Sequence, residues 1–102
     1  MAYLVQDKIG PLSELCRRYG VRKLVLSGSA LRDDFDPKRS DLDFVVEFAP
    51  RPSGGYANAY FGLLRDMEAL LGCPVDLIES GTIRNPYIRR SVEADQKTLY
   101  AA

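Results

Sequence analysis

The chain has no histidine, no tryptophan and only two cysteines in 102 residues. Without histidine there is no imidazole base and no His-ligated metal. Cys16 and Cys73 stand alone and far apart, which excludes a CxxC redox pair and the paired spacing of a zinc site. No charge of either sign predominates, since fourteen Lys and Arg balance fourteen Asp and Glu. A strongly basic nucleic-acid binder is therefore not expected. No apolar run approaches the roughly 18 residues of a membrane span. The opening MAYLVQDKIG lacks the basic region and apolar core of a secretion signal. The expectation is a cytoplasmic protein, with no membrane association, whose two thiols are buried in a reducing compartment.

What is present reads as one globular domain over residues 1–102, with 46% hydrophobic and 27% charged residues. A chain of this length buries roughly 60–65% of its unfolded surface, enough for one sheet-and-helix core. Ile9, Leu12, Leu15, Cys16 and Tyr19 recur at helical spacing, which predicts a helix over 7–19 before Gly20. RKLVLS at 22–27 reads as a strand, followed by a Gly28-Ser29 turn and a short helix to about Asp34. SDLDFVVEF at 40–48 reads as a largely buried strand, and PRPSGG at 50–55 as a loop. Tyr60, Phe61, Leu64, Met67, Leu70 and Leu71 form a helical stripe ending at Gly72. PVDLIE at 74–79 is a third strand, a final helix is expected around 86–97, and Leu99-Tyr100 closes the chain. The fold class is α/β, a small mixed sheet flanked by helices.

Three features bear on chemistry, each with an ordinary structural alternative. Gly28-Ser29, between a strand and a helix start, is either a plain turn or a phosphate cradle; no GK[ST] follows, so it is not a Walker loop. Asp41-Leu42-Asp43 heads an apolar strand, so period-two alternation puts both carboxylates on one face. They are either a solvated strand start or a Mg²⁺ site, since Mg²⁺ is held by one or two carboxylates plus substrate phosphates. Asp76 interrupts the apolar strand Val75-Asp76-Leu77-Ile78 and is either an edge residue facing water or a further ligand. If its strand lies beside that of Asp43, the acids converge.

Taken jointly, the Gly-Ser turn, an arginine, the DxD at a strand head and a lone Asp on a later strand resemble the DNA polymerase β-like nucleotidyltransferase superfamily. LSGSALRDDFDPKRSDLDFVVEF, with PVDLIES and NPYIRRSVEADQKTLYA, is more narrowly similar to the minimal nucleotidyltransferase (MNT) domains, antitoxins of HEPN–MNT toxin–antitoxin pairs. Eleven residues separate Ser29 from Asp41, one more than the commoner spacing, and the extra one falls in the Asp36-Pro37 loop. The resemblance implies a polymerase β-like fold. It implies that Gly28 and Ser29 hold a nucleoside triphosphate and that Arg32 contacts phosphate or braces the turn; a salt bridge to a nearby acid is the alternative for Arg32. It also implies that Asp41, Asp43 and Asp76 bind two Mg²⁺ ions, with Asp76 helping to deprotonate an acceptor hydroxyl.

Larger relatives hold the acceptor with further domains, for which 102 residues leave no room. The acceptor is then expected on another polypeptide. The resemblance supplies one: a HEPN RNase toxin, product of a neighbouring gene, with which the chain forms a hetero-oligomer. The toxin would receive AMP from ATP on a tyrosine hydroxyl. The alternative is a binding-only antitoxin that occludes the toxin without catalysis. A small-molecule nucleotidyltransferase acting on an antibiotic fits less well, because such proteins generally carry a second domain.

Overall fold

Aliphatic side chains dominate both VRKLVLS and LDFVVEF, and the two segments pair as antiparallel strands, β1 (Val21–Ser27) and β2 (Leu42–Phe48). The computed structural model describes residues 3–27, 42–51, 54–80 and 96–102. Within it, β3 (Val75–Glu79) lies parallel to β2 and β4 (Gln96–Ala101) antiparallel to β1, so the sheet runs β3-β2-β1-β4. This is the mixed sheet expected. Parallel neighbours cannot be joined by a tight turn, and α3 (Tyr56–Leu71) is the crossover between β2 and β3. Two helices precede the sheet, α1 (Tyr3–Gln6), which the residue pattern did not announce, and α2 (Ile9–Arg18).

Alternation along the strands decides which face the helices cover. Leu24 and Leu26 on β1, Leu42, Phe44 and Val46 on β2, and Leu77 on β3 share one core with Leu12 and Cys16 of α2 and Leu63 and Met67 of α3. α2 thus buries the face anticipated for it. α3 departs in one respect: Phe61 is 65% exposed, while Leu63 is fully buried. The buried positions Ala59, Leu63, Met67 and Leu71 recur every four residues. Phe61 is two residues from both Ala59 and Leu63, about 200° around the helix, so it cannot share their face. Gly72 ends α3 as expected, with φ 71° and its N–H returned to the Glu68 carbonyl.

The far end of the chain corrects the reading. Gln96 and Lys97, expected to finish a helix over 86–97, begin β4. Pairing with β1 satisfies their backbone groups and gives β1 a neighbour on its second side, which outweighs weak helical spacing. Residues 86–95, and the short helix expected after Ser29, lie outside the described residues. Both cysteines are buried and neither is in a disulfide; burial pushes the Cys16 thiol up to about 12, so it is no nucleophile at neutral pH.

Tyr19 joins the two long helices. Its hydroxyl donates to the Asp66 carboxylate, which raises the phenol and lowers the carboxyl from their ordinary ranges. The ring lies over Gly62, where a Cβ would stand 2.7 Å from Tyr19 Cε1. Gly62→Ala should therefore destabilise by about 1–2 kcal/mol: overpacking of about 1–3 kcal/mol is only partly offset by about 1 kcal/mol of helix propensity. In a Tyr19→Ala background the sign should reverse, leaving the propensity gain alone. Urea unfolding of the four variants checks this, and a Gly62→Ala cost equal in both backgrounds would show that the ring is not what the new methyl meets.

Candidate active site

The carboxyl end of β1 and the amino ends of β2, β3 and β4 meet at one end of the sheet. Register places Ser27 opposite Asp43, Asp43 beside Asp76, and Gln96 opposite Ser27, so four polar residues form one row across four strands. Their face follows from their neighbours. Leu26, Phe44 and Leu77 occupy the next row and point into the core, so Ser27, Asp43 and Asp76 point to the opposite face. Asp43 is half-buried on an inner strand and Asp76 is exposed on an edge strand.

Adjacent strands stand about 4.8 Å apart. Two carboxylates at that spacing on one face repel by on the order of 1–3 kcal/mol in partly solvated surroundings. The fold holds them there regardless. β2 is paired on both sides, which fixes Asp43. The head of β3 is tied down by its flanks. The Leu42 N–H donates to the Pro74 carbonyl at 3.2 Å. The Val75 N–H donates to Glu68 Oε2 at 3.1 Å. The Tyr60 hydroxyl donates to the Leu77 carbonyl. Asp76 sits between two residues anchored to α3, the Val75 N–H by Glu68 and the Leu77 carbonyl by Tyr60.

Such an arrangement suits a small hard cation. Oxygen-only ligands, negative charge and solvent access on the Asp76 side are the donor chemistry of Mg²⁺, which keeps several positions for water and phosphate. Among the described residues no cluster of three acidic, His or Cys side chains forms. Asp41, the expected partner of Asp43 at the strand head, lies outside the described residues, as do Gly28, Ser29 and Arg32. Of the residues singled out in the sequence, the structure thus brings Asp43 and Asp76 together. It adds two that were not anticipated, Ser27 and Gln96, because register between strands distant in sequence has no local signature.

An open groove of about 880 Å³ at the other end of β2 and β3, lined by Phe48, Tyr56, Tyr60, Leu77 and Ile78 among others, is separate from this row. Among the described residues no helix is long and apolar enough to cross a membrane.

Comparison with known proteins gives the family and the fold. A sequence model of the nucleotidyltransferase domain family matches residues 12–97. The Methanocaldococcus jannaschii protein named "Putative protein adenylyltransferase MJ0128" is 38% identical over 81 residues, 79% of each chain. A solved structure described as a "putative minimal nucleotidyltransferase" superposes with a TM-score of 0.77 at 26% identity over 95% of both chains. A chain in the complex of tri-AMPylated Shewanella oneidensis HEPN toxin with MNT antitoxin shares the fold, with a TM-score of 0.65 at 19% identity over 95% of this chain and 72% of that one.

Proposed function

We propose, because the chain belongs to the nucleotidyltransferase domain family, that it is a protein adenylyltransferase: an antitoxin that transfers AMP from ATP to a tyrosine hydroxyl of a HEPN-type toxin. The observation that carries the reading is the pairing of Asp43 with Asp76 at the heads of two parallel strands. The name of the M. jannaschii relative and the AMPylated complex that shares the fold support the choice of AMP and of a protein acceptor.

In the transfer, the tyrosine oxygen forms a bond to the α-phosphorus, and the bond from that phosphorus to the bridging β-oxygen breaks. Pyrophosphate leaves, and the phenolic proton passes to a carboxylate. We assign that role to Asp76, supported by its exposure on the edge strand of the sheet. Asp41, Asp43 and Asp76 would together hold Mg²⁺, two ions in all, whose charge offsets that building on the phosphate oxygens. Gly28 and Ser29 would hold the triphosphate through backbone amides and the Ser29 hydroxyl, with Arg32 contacting a phosphate or bracing the turn. On this reading the acceptor is supplied by the partner in a cytoplasmic hetero-oligomer, without direct nucleic-acid contact.

The test is incubation with the HEPN-type product of the adjacent gene, ATP and Mg²⁺, followed by intact mass measurement. One or more added AMP units on the partner are expected. A stable complex with no mass change would leave occlusion without catalysis as the function. Metal removal gives an independent check. Calorimetric ATP affinity should fall at least about tenfold in EDTA, because the triphosphate then faces unscreened carboxylates. Unchanged ATP binding in EDTA would remove the carboxylates from the metal site.

A further inference from the structure

We propose that the open groove at the carboxyl ends of β2 and β3 is a docking site for a basic, apolar segment of the acceptor protein, an arginine or lysine set among aliphatic side chains. The proposal rests on the reading of the chain as a transferase acting on a protein, which supplies the partner.

The groove holds about 880 Å³ and is walled by Phe48, Tyr56, Tyr60 and Leu77. That is the volume of a ligand pocket. Its walls are held in place from within the fold. The Tyr60 hydroxyl donates to the Leu77 carbonyl, and the Tyr56 hydroxyl accepts from the Arg51 N–H at 2.7 Å. Phe48 and Tyr56 meet edge to face, their ring centres 6.5 Å apart. With both hydroxyls engaged, what the rings offer a ligand is apolar and π surface. Tyr56 is nevertheless 45% exposed.

Charge selects the occupant. Among the described lining residues the charged ones are Glu47 and Glu79, both acids. Glu47 is half-buried, and no ion pair joins it to another described residue; Lys23, its register partner on β1, is exposed. The amino end of α3 adds about half a positive charge, which the two carboxylates exceed. A guanidinium or ammonium meets here both groups that bind it, carboxylates and aromatic rings, and the aliphatic stem behind it meets Leu77 and Ile78.

Position ties the groove to the transfer site. Glu47 and Ile78 alternate with the core residues Val46 and Leu77, so they share the sheet face of Asp43 and Asp76. Four residues along β2 separate Asp43 from Glu47, about 13 Å. A standard protein interface covers about 800 Å² on each partner, enough to span both. A partner seated in the groove is thus held away from the reacting atoms, with its acceptor hydroxyl free to reach the carboxylate row.

The test titrates the HEPN-type partner calorimetrically into wild type, Ala57→Arg and Ala57→Glu, with a thermal melt of each. Ala57 is exposed in the first turn of α3 and lines the groove, so either side chain changes the charge there without entering the core. The three melts should agree to within a few degrees. Ala57→Arg should weaken binding at least about tenfold, because like charges set against each other across an interface are costly. Ala57→Glu should bind as wild type or tighter, and wild-type binding should weaken as salt rises. In AMP transfer the Ala57→Arg loss should fall on the KM for the partner. Wild-type affinity in Ala57→Arg, equal weakening in both variants, or a self-associated chain that Ala57→Arg takes apart would overturn the proposal while AMP transfer by the wild type stands. Charge-dependent binding without AMP transfer would instead overturn the transfer reading and leave the docking site.

Discussion

Asp43→Asn should lower AMP transfer by on the order of 10³ and leave the fold intact. The substitution keeps the size and planarity of the side chain and removes its charge. Losing one preorganised electrostatic partner of a transition state costs about 10²–10³ in rate, and on the proposed reading of Asp43 as a metal ligand its loss belongs at the upper end. The melting temperature without metal should stay within a few degrees of wild type, because the amide is isosteric with the carboxylate it replaces. An Asp76→Asn substitution should lose rate too, and the double variant should lose much less than the product of the two, because both serve one site. Single-turnover transfer with excess enzyme measures the chemical step. Activity within about fivefold of wild type in Asp43→Asn would remove the row from the reaction.

Phe44→Ala should have the largest effect on stability. Phe44 is fully buried at the middle of the sheet, opposite Leu26 on β1 and beside Leu77 on β3. Truncating a buried phenylalanine costs about 3–5 kcal/mol, the lost transfer energy plus the cavity left behind. A domain of this size has only about 5–15 kcal/mol in total. The loss corresponds to a fall of roughly 15–30 °C in melting temperature. Phe61→Ala is the internal control: the same change on an exposed face of α3 should cost under about 0.5 kcal/mol. Urea unfolding measures both. Similar losses for the two would mean that the burial of β2 is not what holds the sheet together. Phe44 also backs Asp43 directly along the strand, so the variant should lose activity at lower temperatures than wild type.

How much of this was legible in the sequence follows the range of the interactions involved. Helix faces and strand alternation are local, with periods of 3.6 and two residues, and they placed α2, β1, β2 and β3 within a residue or two. Phe61 misled because an apolar residue was counted into a stripe whose phase is set by the sheet beneath it. β4 was missed because six residues ending a chain, QKTLYA, have no strong period, and their strand exists by pairing with β1. The site divides likewise. Asp43 and Asp76 could be singled out one at a time, as acids within apolar strands. That they share a row, and that Ser27 stands in it, is a matter of register between segments tens of residues apart.

By itself the sequence determined the chemistry available to this protein. Lacking histidine, a zinc cysteine pattern and a basic surplus, and holding acids at strand heads, it left carboxylates as the candidate chemical groups on an α/β scaffold. Only the tertiary structure decided the sheet order β3-β2-β1-β4, and with it which acids become neighbours. The reason is physical: a strand's side-chain period is written in consecutive residues, but its partner is chosen by burying a face shared with the helices.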